Sequence, residues 1–247
     1  MKDIELHPAP QRRGFLRDVV TGGAALGLAA IASSFKFVNP EQKSKALNSM
    51  GIGKGAADLW FDKVKGSHRV VYDATRPHEV MPFAWPKIFL LTNAATGTPE
   101  SDCGVVMVLR HEAIGYAFND KLWAKYGFGD VFKAHEIGPG FQAADAKTAT
   151  KTRNPFYMTK LGDFAVPGFG AVPIGITELQ ASGVMFCVCE AAMTVYSAAL
   201  AGGMGLKAED VLNEWKANVI PGIQIVPSGV WALGRAQEHG CAYIFAG

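Results

Sequence analysis

The chain has 247 residues, with 24 Lys or Arg against 22 Asp or Glu and a formal net charge of +2. At 49% hydrophobic and 19% charged, it has the composition of a globular domain with a sizeable core, which excludes a disordered or fibrous chain. The near-neutral balance, with no basic stretch interleaved with aromatics, argues against nucleic-acid binding. Four cysteines, Cys103, Cys187, Cys189 and Cys241, are too few for a disulfide-built scaffold. They form no Cys-x-x-Cys pair and no Cys/His zinc spacing.

At the start of the chain, Gln11-Arg12-Arg13-Gly14-Phe15-Leu16-Arg17 precedes a Gly/Ala-rich apolar run over 19–31. Paired arginines, an aromatic–leucine pair and a weakly hydrophobic segment resemble a bacterial twin-arginine export signal. The run is about 13 residues, short of the roughly 20 needed to span a bilayer. Ala30-Ile31-Ala32 offers a small-x-small cleavage site, which makes residues 1–32 the signal and Ser33 the start of the mature chain. An uncleaved N-terminal anchor is the alternative. The twin-arginine translocase carries folded proteins, so the domain is expected to fold in the cytoplasm and reside in the periplasm.

Residues 33–67, polar around Glu41–Lys45 and dotted with glycines, read as a linker with at most a short helix. The first strand is expected over 68–73. A helix over 83–93 follows, with Pro86 setting a late start. The stretch 103–110 is apolar at nearly every position, as in a strand buried on both faces. Ile114, Ala117, Phe118 and Leu122 then place a helix over 113–125. From 127 to 176 the pattern is broken by Pro139, Pro155, Pro167, Pro173 and many glycines. An irregular stretch of this length reads as an insertion forming a lid or an oligomer contact.

Thr177 is the expected cap of a short helix ending at Ser182. The apolar run Val184–Val188 follows a glycine and leads into helix-forming sequence, so it reads as a buried parallel strand from which Cys189 opens a helix over 190–201, stopped by Gly202-Gly203. A helix over 208–218 carries Val211, Leu212 and Trp215, and 222–226 is a strand. Ser228 caps a helix over 229–239, Gly240 closes it, and 241–245 is the last strand. Strands alternating with helices predict an α/β fold: a doubly wound, mostly parallel sheet of about five strands flanked by helices.

Three segments carry a resemblance to a known family. They are Gly183–Met193; Gly222-Ile223-Gln224-Ile225-Val226-Pro227-Ser228-Gly229-Val230, followed by Ala236-Gln237-Glu238-His239-Gly240 and Tyr243; and Val105-Val106-Met107-Val108-Leu109-Arg110-His111-Glu112-Ala113. Together they resemble the DsrE/DsrF-like family of sulfur-relay and sulfur-oxidation proteins over 68–247. The resemblance implies a compact domain of flavodoxin-like layering that assembles as a homotrimer or homohexamer. In the sulfur-transfer branch it also implies a cysteine in the strand-to-helix turn that carries a persulfide. Cys189 occupies that position. The export signal and the 127–176 insertion set this chain apart from the family.

Cys189 at a helix N-terminus meets partial positive charge that favours a thiolate, while the adjacent Glu190 opposes it. The bland alternative is a small buried hydrophobe. Cys187 lies two residues back on the same strand, facing the same side, as a resolving thiol or a core residue. Cys103 and Cys241 start strands at the far end of the sheet and are a candidate disulfide in an oxidising compartment. His111, ending the second strand with Glu112 beside it, is either an acid/base group or a capping histidine. Asn119 and Asp120 read as solvated positions one to two turns into the following helix. Pro227 and Ser228 form a helix start that can also hold an anion. No motif calls for a cofactor, and His68, His78, His135 and His239 lack clustered partners for a metal.

The leading expectation is an exported DsrE-like protein that binds or transfers a small sulfur compound through Cys189. His111, Glu112, Pro227 and Ser228 would line the same edge. The alternative is a non-catalytic, oligomeric ligand-binding module with Cys189 in its core. Whether the protein is an enzyme stays open.

Overall fold

A computed structural model of the protein describes residues 55–134, 151–166, 168 and 170–247. The expected export signal, its cleavage site and linker residues 33–54 lie outside this range, as do residues 135–150 of the expected insertion. Five strands form one all-parallel sheet: β1 (His68–Ala74), β2 (Cys103–Leu109), β3 (Met185–Cys189), β4 (Ile223–Val226) and β5 (Ala242–Phe245). Their order is β4-β3-β2-β1-β5. This is the doubly wound α/β fold expected from the alternation of elements.

The central strand explains the layering. All seven residues of β2 are buried, which requires cover on both faces. Val105, Met107 and Leu109 join the larger core layer, and Val106 and Val108 the smaller. The larger layer takes residues from α2 (Met81–Ala95), α3 (Asp120–Tyr126), α4 (Phe128–Val131), α5 (Ile176–Ala181), α6 (Glu190–Met204) and α7 (Ala208–Ala217). The smaller takes α1 (Ala56–Phe61) and α8 (Gly229–Glu238). The reason is handedness. From β1 to β4 the chain steps across the sheet in one direction, with its helices on one face. The step from β4 back to β5 runs the other way, so a right-handed crossover puts α8 on the opposite face.

Several local expectations shift. The helix read over 83–93 spans 81–95, because Pro82 sits in the first turn, where no N–H is needed, and Pro86 forfeits a single bond one turn later. The helix read over 113–125 divides into a 3₁₀ stretch, His111–Ala117, and α3. Phe118 between them is extended and bridges Val219, and Asn119 caps α3 by accepting from the Leu122 N–H at 3.4 Å. Asp120 accepts the Asn154 N–H at 2.9 Å, so neither polar residue is merely solvated. The cap of α5 is Gly175, whose N–H donates to the Glu178 carboxylate at 2.9 Å, not Thr177. Helix α6 passes through Gly202 and Gly203 and stops at Gly205, which takes the left-handed conformation (φ 67°).

Residues 55–67, the end of the expected linker, pack on the domain: Trp60, Phe61 and Val64 belong to the smaller layer. The described parts of 127–176 likewise build core, with Phe128, Phe132, Phe156, Phe164 and Ile174 all buried. Buried Asn154 pins this stretch down. Its amide donates to the carbonyls of Tyr116 (2.8 Å) and Phe118 (2.9 Å) and accepts the Phe156 N–H (3.1 Å). Cys103 and Cys241 are both free. They lie in opposite core layers, and β1 runs between their strands, so the candidate disulfide does not form. Among the described residues no helix is long and apolar enough to cross a membrane.

Candidate functional site at the carboxyl edge of the sheet

Adjacent strands β3 and β4 send their following helices to opposite faces, α6 to the larger layer and α8 to the smaller. Such a divergence opens a crevice beyond the carboxyl ends of the strands, the usual ligand position in an open α/β sheet. Cys189 and the Pro227–Ser228 turn stand on its two sides. The Ala191 N–H donates to the Pro227 carbonyl at 3.2 Å, tying the two turns together.

Cys189 is the N-cap of α6, and its sulfur accepts the Ala192 N–H at 3.3 Å. It is 6% exposed. Strand alternation would put it on the face of Cys187, yet it packs in the larger layer while Cys187 packs in the smaller. The backbone is already turning toward α6 at this residue and carries the side chain round with it. Burial pushes the Cys187 thiol well up, with the Cys189 sulfur adding to the shift, which makes Cys187 a poor resolving thiol. Glu190, which by sequence opposes an anionic sulfur, forms an ion pair with Lys216 on α7.

Val188 is level with Leu109, so Cys189 is level with Arg110, one residue before His111. Arg110 is the charged group that dominates this edge. Its guanidinium grips the Asp73 carboxylate through Nε (2.6 Å) and Nη2 (2.9 Å). Asp73 is 1% exposed, and the Tyr243 hydroxyl also donates to it, at 2.8 Å. Hydrogen bonding to Asp73 holds the Arg110 charge more firmly than usual. Burial, then the bond to Asp73, pushes the Tyr243 hydroxyl up. Gly229 makes room for this group, because a Cβ there would collide with the Arg110 side chain. The structure thus brings Arg110, Cys189 and the Pro227–Gly229 turn together.

His111 and Glu112 stand beside this cluster. His111 is exposed and holds a left-handed backbone conformation (φ 51°), uncommon for a residue with a side chain. Its Nε2 lies 3.4 Å from the Tyr196 hydroxyl on α6, with the rings edge to face. Burial, aided by Glu112, pushes that hydroxyl up, so Tyr196 stays a neutral hydrogen-bonding partner. The Glu112 N–H anchors to the Thr75 carbonyl (2.9 Å). The Ser228 hydroxyl accepts the Trp231 N–H at 3.2 Å and serves as the helix cap read from sequence.

Sequence reasoning passed over Asp73, Arg110 and Tyr196 as site residues and used Tyr243 only as a mark of resemblance. The available signal was a carboxylate and a guanidinium directly after apolar runs, at the carboxyl ends of two strands, which is where an α/β sheet keeps its polar groups. Among the described residues, no group of three or more His, Cys, Asp or Glu is placed to hold a metal ion.

A cavity of about 430 Å³ lies at the other end of the same strands. Lys63, Lys65, Glu100, Ser101, Cys103 and Ser182 help to line it. About 13 Å of β3 separates it from Cys189, from five residues at an extended rise. Burial, and then Asp102 and Glu100, push the Cys103 thiol up, which leaves this cavity a binding space without an activated nucleophile. No family model, no curated protein and no solved structure matches the chain.

Proposed function

We propose that the protein binds or transfers reduced sulfur at Cys189, at the crevice between β3 and β4. The observation that carries this reading is the position of that sulfur. It caps a helix at the point where the crossovers diverge, accepts a backbone N–H, and ends its strand level with Arg110. The resemblance to DsrE-like proteins supports the same residue.

The step is a sulfur exchange that needs no external oxidant. The Cys189 thiolate attacks the outer sulfur of thiosulfate. A new S–S bond forms on the protein, the S–S bond of thiosulfate breaks, and its electron pair leaves with sulfite. The product is an anionic persulfide. Arg110 would balance its charge, and His111, hydrogen-bonded to Tyr196, would exchange protons with solvent beside it. The export signal read at residues 11–31 would place this chemistry in the periplasm. Incubation with thiosulfate should add about 32 Da, one sulfur atom, and Cys189→Ser should abolish the adduct.

The second reading, a non-catalytic binding module, draws on the amino-edge cavity and on the low exposure of Cys189. Native-state labelling with N-ethylmaleimide separates the two. Reaction at Cys189 before unfolding favours sulfur chemistry. Reaction only after unfolding, with no thiosulfate adduct, eliminates it in favour of the binding module.

A further inference from the structure

The two edges of the sheet differ. On β4 the burial runs buried, half-buried, half-buried, buried, and α1 packs nearby. On β5 all four residues are exposed, with Tyr243 at 46%, Ile244 at 39% and Phe245 at 54%. No charge and no proline lies between 241 and 246. Proteins normally blunt a free edge with such residues, since its unpaired N–H and C=O groups otherwise recruit another strand.

The edge is complementary to itself. The Ala246 N–H donates to the Asp73 carbonyl. Backbone groups alternate along a strand, so those of Ala242 and Ile244 also point to β1, and those of Tyr243 and Phe245 point outward. An antiparallel copy related by a two-fold axis at Ile244 sets Tyr243 against Phe245 of the copy, and Phe245 against Tyr243. Each pair exchanges both its N–H···O bonds, using groups that bond to no other described residue. Tyr243 and Phe245 share one face, so the same register makes two cross-strand aromatic pairs. The two Ile244 side chains meet on the other face. Ile244 is level with Tyr72, whose hydroxyl donates to the Trp85 carbonyl at 3.2 Å, so the exposed Trp85 lies alongside.

We propose that β5 is a two-fold interface at which a second copy of this chain continues the sheet to ten strands. The occupant is another copy because one register satisfies the free backbone groups and matches the side chains on both faces. The interface stands apart from the sulfur chemistry, although it would cover the Tyr243 ring that donates to Asp73. A two-fold contact fits a dimer or a hexamer, not a simple three-membered ring.

Sedimentation velocity of the full chain over a range of concentrations tests this. The wild type should sediment as a dimer or a multiple of one. Ile244→Lys sets two ammonium groups face to face at the axis and should weaken the contact by about 100-fold or more, with far-UV circular dichroism unchanged because the residue is on the surface. Ile244→Cys should yield a disulfide-linked dimer on mild oxidation. A monomer at every concentration, an assembly unaltered by Ile244→Lys, or an Ile244→Cys variant that does not cross-link overturns the proposal.

Discussion

The two ends of strands β2 and β3 are built on opposite plans. At the carboxyl end, Asp73, Arg110 and Tyr243 lock together beside a sulfur that caps a helix. At the amino end there is a cavity of about 430 Å³ with lysines around it, and its cysteine is disfavoured as a thiolate. Chemistry and volume therefore lie apart. The parallel sheet explains the first half of this, because it gathers helix N-termini and loop-borne polar groups at its carboxyl edge. The amino edge receives helix C-termini and glycine-rich turns, which make room without supplying a nucleophile.

The contrast can be broken most severely at the carboxyl end. Arg110→Met strands the Asp73 carboxylate in a nearly water-free position with only the Tyr243 hydroxyl beside it. Removing one partner of a buried ion pair costs about 3–5 kcal/mol, and since Arg110 is itself 28% exposed the lower end is expected, about 3 kcal/mol by urea denaturation. Asp73→Asn should cost less, because the guanidinium can turn to water.

At the amino end the test is steric. Gly104 lies against the Lys65 carbonyl, and a Cβ there would collide with it. Gly104→Ala should cost about 1–3 kcal/mol and displace the loop that carries Lys63 and Lys65, leaving thiosulfate uptake at Cys189 unchanged. Loss of both properties together would show that the two ends are coupled.

The smallest effect concerns Asp102, whose carboxylate accepts the Ser67 hydroxyl (2.5 Å) and the Ser67 N–H (3.1 Å). The hydroxyl bond first, and then the backbone bond, hold it below the ordinary aspartate value of 3.8. A carboxylate lowered in the folded state adds stability that is complete above the ordinary value and lost as pH falls through the folded one. Asp102→Asn should lower the melting temperature by about 1 °C at neutral pH. The gap should close in acid below the ordinary range.

Much of this molecule was legible beforehand. The uninterrupted apolar run 103–109 announced a strand buried on both faces, and Ser228 and Gly240 bounded α8 because a hydroxyl cap and a glycine stop act locally. The errors fell where a distant partner outweighed local periodicity. Phe118 broke an amphipathic helix because distant groups hold the backbone there: Asn154 donates to its carbonyl, and Asn218 and Ile220 bond the residues on either side of it. The stretch after Gly127 looked like an appended lid, yet Phe156 and Phe164 stack within the main core, which no local pattern could reveal. In the candidate site, Cys189 and His111 could be placed at the right edge from the strand ends alone. The Asp73–Arg110–Tyr243 cluster could not, because its members come from three strands whose neighbours are set by the crossovers.

By itself, the sequence determined the order and kind of elements, the parallel sheet, and the presence of a cysteine where a strand passes into a helix. These follow from hydrophobic period and capping chemistry, which act over a few residues. The tertiary structure alone decided strand order, the faces taken by α6 and α8, the partners of Arg110, and which edge of the sheet stays open. Those depend on right-handed crossover and on contacts between residues far apart in the chain, and neither is written in any short stretch of it.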